Sequence, residues 1–145
     1  MPLHLNTQLS REGPIAMVDD SVATLKLVAI YHKKSNLNGS FLTFLSGNTF
    51  FEYLENVKKG TAEVTELLLL DINMPGMDGF EVHEKLRSEP LFKNIPVCAM
   101  LTSSDHEKDK QKAFSMGVRE YLIKPDTGKD YLDMFNNLKN RMLKN

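Results

Sequence analysis

Four charged side chains and one hydroxyl in this chain stand at the ends of short apolar runs. Asp19 and Asp20 follow Ile15 to Val18, Asp71 follows Leu67 to Leu70, Thr102 follows Val97 to Leu101, and Lys124 follows Tyr121 to Ile123. If these runs are strands of one parallel sheet, their carboxyl ends form the edge where ligands bind. The five side chains then meet there. Two unit charges 4 Å apart interact by about 4 kcal/mol at an effective dielectric near 20. Three clustered carboxylates therefore need a cation to stay ionised together. A few hard oxygen donors suit Mg²⁺, which keeps some of its waters and accepts phosphate oxygens. An acidic Mg²⁺ pocket beside a lysine and a threonine suits a phosphoryl group.

The segment after Asp71 must turn sharply. In Asn73-Met74-Pro75-Gly76-Met77-Asp78-Gly79 the proline and the two glycines permit such a turn, which can present the Asn73 carbonyl to a metal. Pro125 follows Lys124, and prolyl bonds are the ones that readily become cis. A cis bond there would fix the direction of Lys124.

The elements that position these residues are read from periodicity. Short apolar runs recur at Ile15 to Val18, Phe41 to Leu45 (interrupted at Thr43), Leu67 to Leu70, Val97 to Leu101 and Tyr121 to Ile123, and runs of this length suit strands buried on both faces. Between them lie helical patterns: Val22, Leu25 and Val28 after a Ser21 cap, and Phe50, Tyr53, Leu54 and Val57 after Asn48. Asp78 with Glu81, and Ser104 with Glu107, have capping-box spacing. Gly117 stands where a helix would end. Tyr131, Met134, Phe135, Leu138 and Met142 form a last apolar stripe. Five strands alternating with five helices predict an α/β domain over 14–145, preceded by a polar extension over 1–13 that ends at Gly13-Pro14.

Composition narrows the function classes. The 145 residues fit one domain. With 18 basic and 19 acidic residues the net charge is -1, which speaks against nucleic acid as a partner. The longest apolar runs, Leu27 to Tyr31 and Val97 to Leu101, are far short of the about 20 residues of a membrane span. The first residues have no apolar secretory core. Cys98 is the sole cysteine, so no internal disulfide forms and a cytoplasmic location is expected. It is read as a small buried hydrophobe. His4, His32, His83 and His106 share no ligand spacing. The Lys108, Lys110 and Lys112 run, with Glu107 and Asp109, reads as a solvated helix face.

Taken together, Val18-Asp19-Asp20, the stretch from Leu70 to Gly79, Leu101-Thr102-Ser103-Ser104 and Lys124-Pro125 resemble the receiver domain of two-component response regulators, of the single-domain, chemotaxis-regulator kind. The resemblance implies a flavodoxin-like sheet of strand order 2-1-3-4-5, doubly wound by five helices. It implies that Asp71 accepts a phosphoryl group, and that Asp20, Asp71 and the Asn73 carbonyl hold Mg²⁺. Asp19 then acts in the outer shell through water, and Lys124 pairs with the phosphoryl oxygens. Thr102 and Tyr121 become the switch hydroxyl and switch aromatic. The implied donor is a sensor histidine kinase or a histidine phosphotransfer protein. The implied output is a change in the face of helix four, strand five and helix five, read by a downstream protein. Such a chain is a phosphoacceptor switch, not an enzyme beyond its own phosphotransfer and autodephosphorylation. One departure is visible: the segment from Asp20 to Asp71 is several residues longer than usual, with the excess expected in Ser35 to Ser40 or Gly60 to Glu66.

Two other classes share part of the pattern. A phosphatase of the haloacid dehalogenase type also forms an aspartyl phosphate after a strand, but carries a second aspartate two residues on, where Asn73 stands. A flavodoxin-like FMN carrier needs a Ser/Thr/Gly-rich phosphate loop after the first strand, and Asp19-Asp20 would repel phosphate there. A receiver fragment of a hybrid kinase would carry the same residues as a stand-alone regulator.

Overall fold

The computed structural model describes residues 14–90 and 97–142, and for 97, 98 and 139–142 the backbone only. The extension expected over 1–13 and the side chain of Cys98 lie outside the described residues. The elements run β1 (Ile15–Val18), α1 (Val22–Lys34), β2 (Phe41–Phe44), α2 (Gly47–Lys58), β3 (Leu67–Leu70), α3 (Gly79–Arg87), β4 (Val97–Thr102), α4 (Glu107–Ser115), β5 (Glu120–Ile123) and α5 (Gly128–Met142). The strands form one sheet in the order β2-β1-β3-β4-β5, every pair parallel.

Side chains alternate across a strand, and the central strands use both faces. Ala16, Val18, Leu68 and Leu70 pack with Phe50, Leu54, Phe80, Val82, Leu86 and Ala113 of α2, α3 and α4. Ile15, Met17, Leu67 and Leu69 pack with Leu25, Val28, Phe135 and Leu138 of α1 and α5. That explains the unbroken apolar runs of β1 and β3. The outer strands differ from expectation. β2 and β5 are only partly buried because each lacks a neighbour on one side.

Helix starts follow local hydrogen bonding. Ser21 caps α1 by accepting from the Thr24 N–H at 3.1 Å. The capping box of α3 forms as expected: Asp78 Oδ1 accepts from the Glu81 N–H at 2.9 Å, and Glu81 Oε1 from the Asp78 N–H at 3.0 Å. α2 is capped by Ser46 with Thr49, two residues before the expected Asn48. The box expected from Ser104 and Glu107 does not form. α4 starts one residue after His106, which makes no side-chain cap, and the Ser104 hydroxyl is engaged by Asp109 instead. Gly117 ends α4 at φ 89°, a left-handed conformation that favours glycine.

Register sets the functional edge. Val18 pairs with Leu70, Leu70 with Met100, and Thr102 with Ile123. The residues just beyond these pairs emerge at one level. Gly79 lies against the Asp71 backbone, where a Cβ would collide with the Asp71 carbonyl. Its N–H donates to the Ile72 carbonyl at 3.0 Å. The start of α3 thereby holds the turn after Asp71 in place.

Candidate functional site

Carboxylate oxygens of Asp19, Asp20 and Asp71 lie within 4.8 Å of one another, with Asp20 exposed and the other two buried. Asp19 is fixed from below by its own turn: its Oδ1 accepts from the Ser21 N–H at 2.8 Å. The Lys124 ammonium lies 2.7 Å from Asp19 Oδ2 and 3.4 Å from Asp71 Oδ2. Asp19 Oδ2 is held by this short ion pair and has no other hydrogen-bond partner among the described residues. The Lys124 N–H donates to the Thr102 carbonyl at 2.7 Å, which ties the base of the lysine to β4. Lys124–Pro125 is not cis, since no peptide bond is cis among the described residues. Two carboxylates, not proline geometry, direct the ammonium.

The charges act on one another as burial and distance dictate. Burial pushes the Asp71 carboxyl above its ordinary range; Lys124 and a hydrogen bond from the Asn73 backbone oppose that, while Asp19 adds to it. Burial pulls the Lys124 ammonium down, but Asp19 and Asp71 outweigh it and the net displacement is upward. Tyr131 of α5, read from sequence only as part of an apolar stripe, is buried within reach of the same field. Burial raises its hydroxyl pKa, with Lys124 opposing and Asp19 adding.

One ammonium cannot balance three ionised carboxylates. The cluster can take more positive charge, and the exposed carboxylate of Asp20 faces solvent beside the buried pair. This donor set is all oxygen, hard and partly solvated, and it fits a hexacoordinate cation such as Mg²⁺ better than a zinc site.

Thr102 and Tyr121 are joined through a residue the sequence reading gave another role. Thr102 Oγ1 accepts from the Ser104 N–H at 3.2 Å, and the Tyr121 hydroxyl donates to the Ser104 carbonyl at 2.8 Å. No spacing signal marks this, because the contact depends on how the loop after β4 folds back. The face expected to be solvated is also partly engaged: Lys112 sits 4.4 Å over the Phe80 ring of α3, and Asp109 faces Ser104. His32, His83 and His106 stand outside the carboxylate cluster.

Known proteins resemble this chain over most of its length. The response regulator receiver domain profile matches residues 15–136. Among curated relatives, the heme response regulator HssR of Staphylococcus epidermidis is 34% identical over 116 residues, covering 80% of this chain and 46% of HssR. This chain thus spans about half the length of that relative. Response regulator Rcp1 of Synechocystis is 32% identical over 123 residues, 83% of this chain and 82% of Rcp1. The crystal structure of Mn²⁺-bound Rcp1 superposes with a TM-score of 0.76 at 28% identity, covering 91% of this chain and 95% of that one. The phosphorylated cyanobacterial phytochrome response regulator RcpA gives 0.79 at 25% identity, over 92% and 95%. A match that begins in β1 and continues into α5 takes in every strand of the sheet, and this chain belongs to the response regulator receiver domain family.

Proposed function

We propose that the domain, taken as residues 14–145, is a cytoplasmic phosphorylation-operated switch in which Asp71 takes a phosphoryl group from a phosphohistidine. The donor is a sensor histidine kinase or a histidine phosphotransfer protein. The observation that carries this reading is the cluster of three carboxylates with one lysine at the carboxyl edge of the sheet. Asp20, Asp71 and the Asn73 carbonyl would hold Mg²⁺, with Asp19 behind them through water. When bound, the cation supplies charge stabilisation to the transferring phosphoryl oxygens. The metal in the Rcp1 structure and the phosphorylation of RcpA support the same chemistry for this relative.

The chain's own residues do the rest. A carboxylate oxygen of Asp71 attacks phosphorus in line, the bond from phosphorus to the histidine nitrogen breaks, and the imidazole leaves with the donor. Lys124 balances the charge of the new group, and Thr102 offers its hydroxyl proton to a phosphoryl oxygen. Moving a two-state equilibrium from 1:99 to 99:1 takes about 5.5 kcal/mol. Hydrogen bonds to charged groups, at about 1.5–3 kcal/mol each, supply that in small number. The aspartyl phosphate is an acyl phosphate and hydrolyses, so the signal decays without a separate catalytic apparatus. The phosphatase alternative loses ground because Asn73 offers no carboxylate for acid–base work.

The test is incubation with acetyl phosphate and Mg²⁺, followed by intact mass. One phosphoryl group is expected, dependent on the metal and absent from Asp71→Asn. Labelling that persists in that variant overturns the assignment.

A further inference from the structure

Ser104 meets three different parts of the molecule with three different groups. Its backbone N–H donates to Thr102 Oγ1 at the end of β4, at 3.2 Å. Its carbonyl accepts from the Tyr121 hydroxyl on β5, at 2.8 Å. Its own hydroxyl donates to Asp109 Oδ2 in the first turn of α4, at 2.5 Å, the length of a charge-assisted O–H···O bond. The residue is buried. It also accepts from the His106 N–H at 3.5 Å, a long contact.

The surroundings make this junction consequential. α4 starts without a side-chain cap of its own, since His106 makes none. The orphan donors of a helix start normally find a side chain nearby. Here the side-chain tie runs the other way, from an upstream serine to a carboxylate already inside the helix. The position of that first turn therefore follows the loop backbone at Ser104. The loop backbone in turn follows the Thr102 and Tyr121 hydroxyls, which hold its N–H and its carbonyl.

Resting on the reading of Asp71 as the phosphoacceptor, we propose that Ser104 is a positioning residue that transmits the state of Thr102 and Tyr121 to α4 through its hydroxyl bond to Asp109. When Thr102 turns its hydroxyl toward a phosphoryl oxygen, the Ser104 N–H must follow its acceptor or lose it. Movement of the peptide at 104 changes what the Tyr121 hydroxyl meets, and the Asp109 bond pulls the first turn of α4 with it. Without the hydroxyl, Thr102 and Tyr121 still respond, but α4 is uncoupled from them.

Ser104→Ala removes that tie together with the long contact from the His106 N–H, and Ser104→Thr keeps a hydroxyl. Asp109→Asn weakens the acceptor from the other side without touching the loop. Amide chemical shifts are recorded for all four proteins before and after acetyl phosphate with Mg²⁺, alongside intact mass. The expected result is full phosphoryl uptake in every protein. Shift changes at Glu107 to Lys110 fall at least threefold in Ser104→Ala and in Asp109→Asn, and return in Ser104→Thr. Changes at Tyr121 persist throughout. A full α4 response in Ser104→Ala, or a Ser104→Thr variant as defective as the alanine, overturns the proposal. If Ser104→Ala fails to fold, Asp109→Asn decides by the same measure. A parent that takes up no phosphoryl group overturns instead the functional reading on which the proposal rests.

Discussion

Asp19 and Asp71 are as deeply buried as His32 and His83, yet the two pairs live in unlike surroundings. The aspartates sit at the carboxyl edge of the sheet with a lysine between them and an exposed third carboxylate beside them. His32 stacks on Phe41 at 4.8 Å between ring centroids and meets the edge of Phe135 at 5.3 Å. His83 has both ring nitrogens without a hydrogen-bond partner among the described residues, and burial first, then the charge of Arg87, disfavours its protonation. Burial among charges leaves a carboxylate poised to respond to any ion that arrives. Burial among hydrocarbon makes an imidazole a neutral packing piece. Depth alone therefore does not mark a site; the neighbours do.

The largest effect should come from Asp71→Asn. Phosphoryl uptake from acetyl phosphate should fall from one group to none, while the metal-free protein becomes more stable, because a buried charge and its repulsion from Asp19 are both removed. Loss of stability in that variant would break the contrast, since Asp71 would then be a supporting group like an ordinary buried ion pair. Lys124→Ala tests the same region from the other side. Removing one partner of a buried pair costs about 3–5 kcal/mol, and the partial exposure of Lys124 brings the expectation to about 2 kcal/mol. Millimolar Mg²⁺ should recover much of it. Denaturant unfolding with and without the metal measures both, and a variant as stable as the parent without metal contradicts the charge balance argued above.

Asp20→Ala sharpens the comparison within the cluster itself. Asp20 is exposed, so its removal leaves no buried charge stranded and relieves repulsion on Asp71. Stability without metal should be unchanged or slightly higher. Mg²⁺ affinity, measured by titration calorimetry, should fall at least about tenfold, a loss that even outer-shell partners of a metal can cause. A variant that binds Mg²⁺ as the parent does removes Asp20 from the ligand set.

Much of this contrast was legible in the sequence because it depends on strand ends. Asp19, Asp71 and Lys124 each follow an apolar run, and parallel register carries such residues to one edge without further information. The central strands were readable for the same reason, four apolar residues in succession at β1 and β3. The edge strands are less legible: Phe41 to Phe44 is apolar except at Thr43, and only the sheet order reveals that it has one neighbour. The expected box at Ser104 and Glu107 failed for a related reason. Capping spacing is local, but Ser104 answers to Asp109, Tyr121 and Thr102, and two of those contacts depend on how the loop turns back. The order of the strands came from the family resemblance, since alternation of elements alone does not rank them.

The smallest effect separates the two regions by the sign of their pH dependence. Burial raises the Asp71 pKa, so above the ordinary value of 3.8 the folded carboxyl keeps a proton that the unfolded chain has lost. Metal-free stability therefore falls as pH rises through that window. Burial lowers the pKa of His32 and His83, so below the ordinary value of 6.5 the unfolded chain takes up protons that the folded protein refuses. Stability from these groups is complete above 6.5 and is lost as pH falls toward the lowered folded values. One pH unit below 6.5, each neutral histidine costs up to about 1.4 kcal/mol, the equivalent of one unit of pKa displacement. His83→Leu, which replaces two unpartnered nitrogens by a side chain of similar bulk, should be neutral or mildly stabilising at pH 7.5. It should also make the loss between pH 7.5 and 5.5 smaller than the parent's, with His32 still contributing in the same direction. Urea midpoints at pH 7.5, 6.5 and 5.5 decide the matter. A parent whose midpoint does not fall over this range, or a His83→Leu variant that falls as steeply as the parent, would show that the imidazole gains a proton or a partner inside the fold and is not the inert filler its surroundings make it.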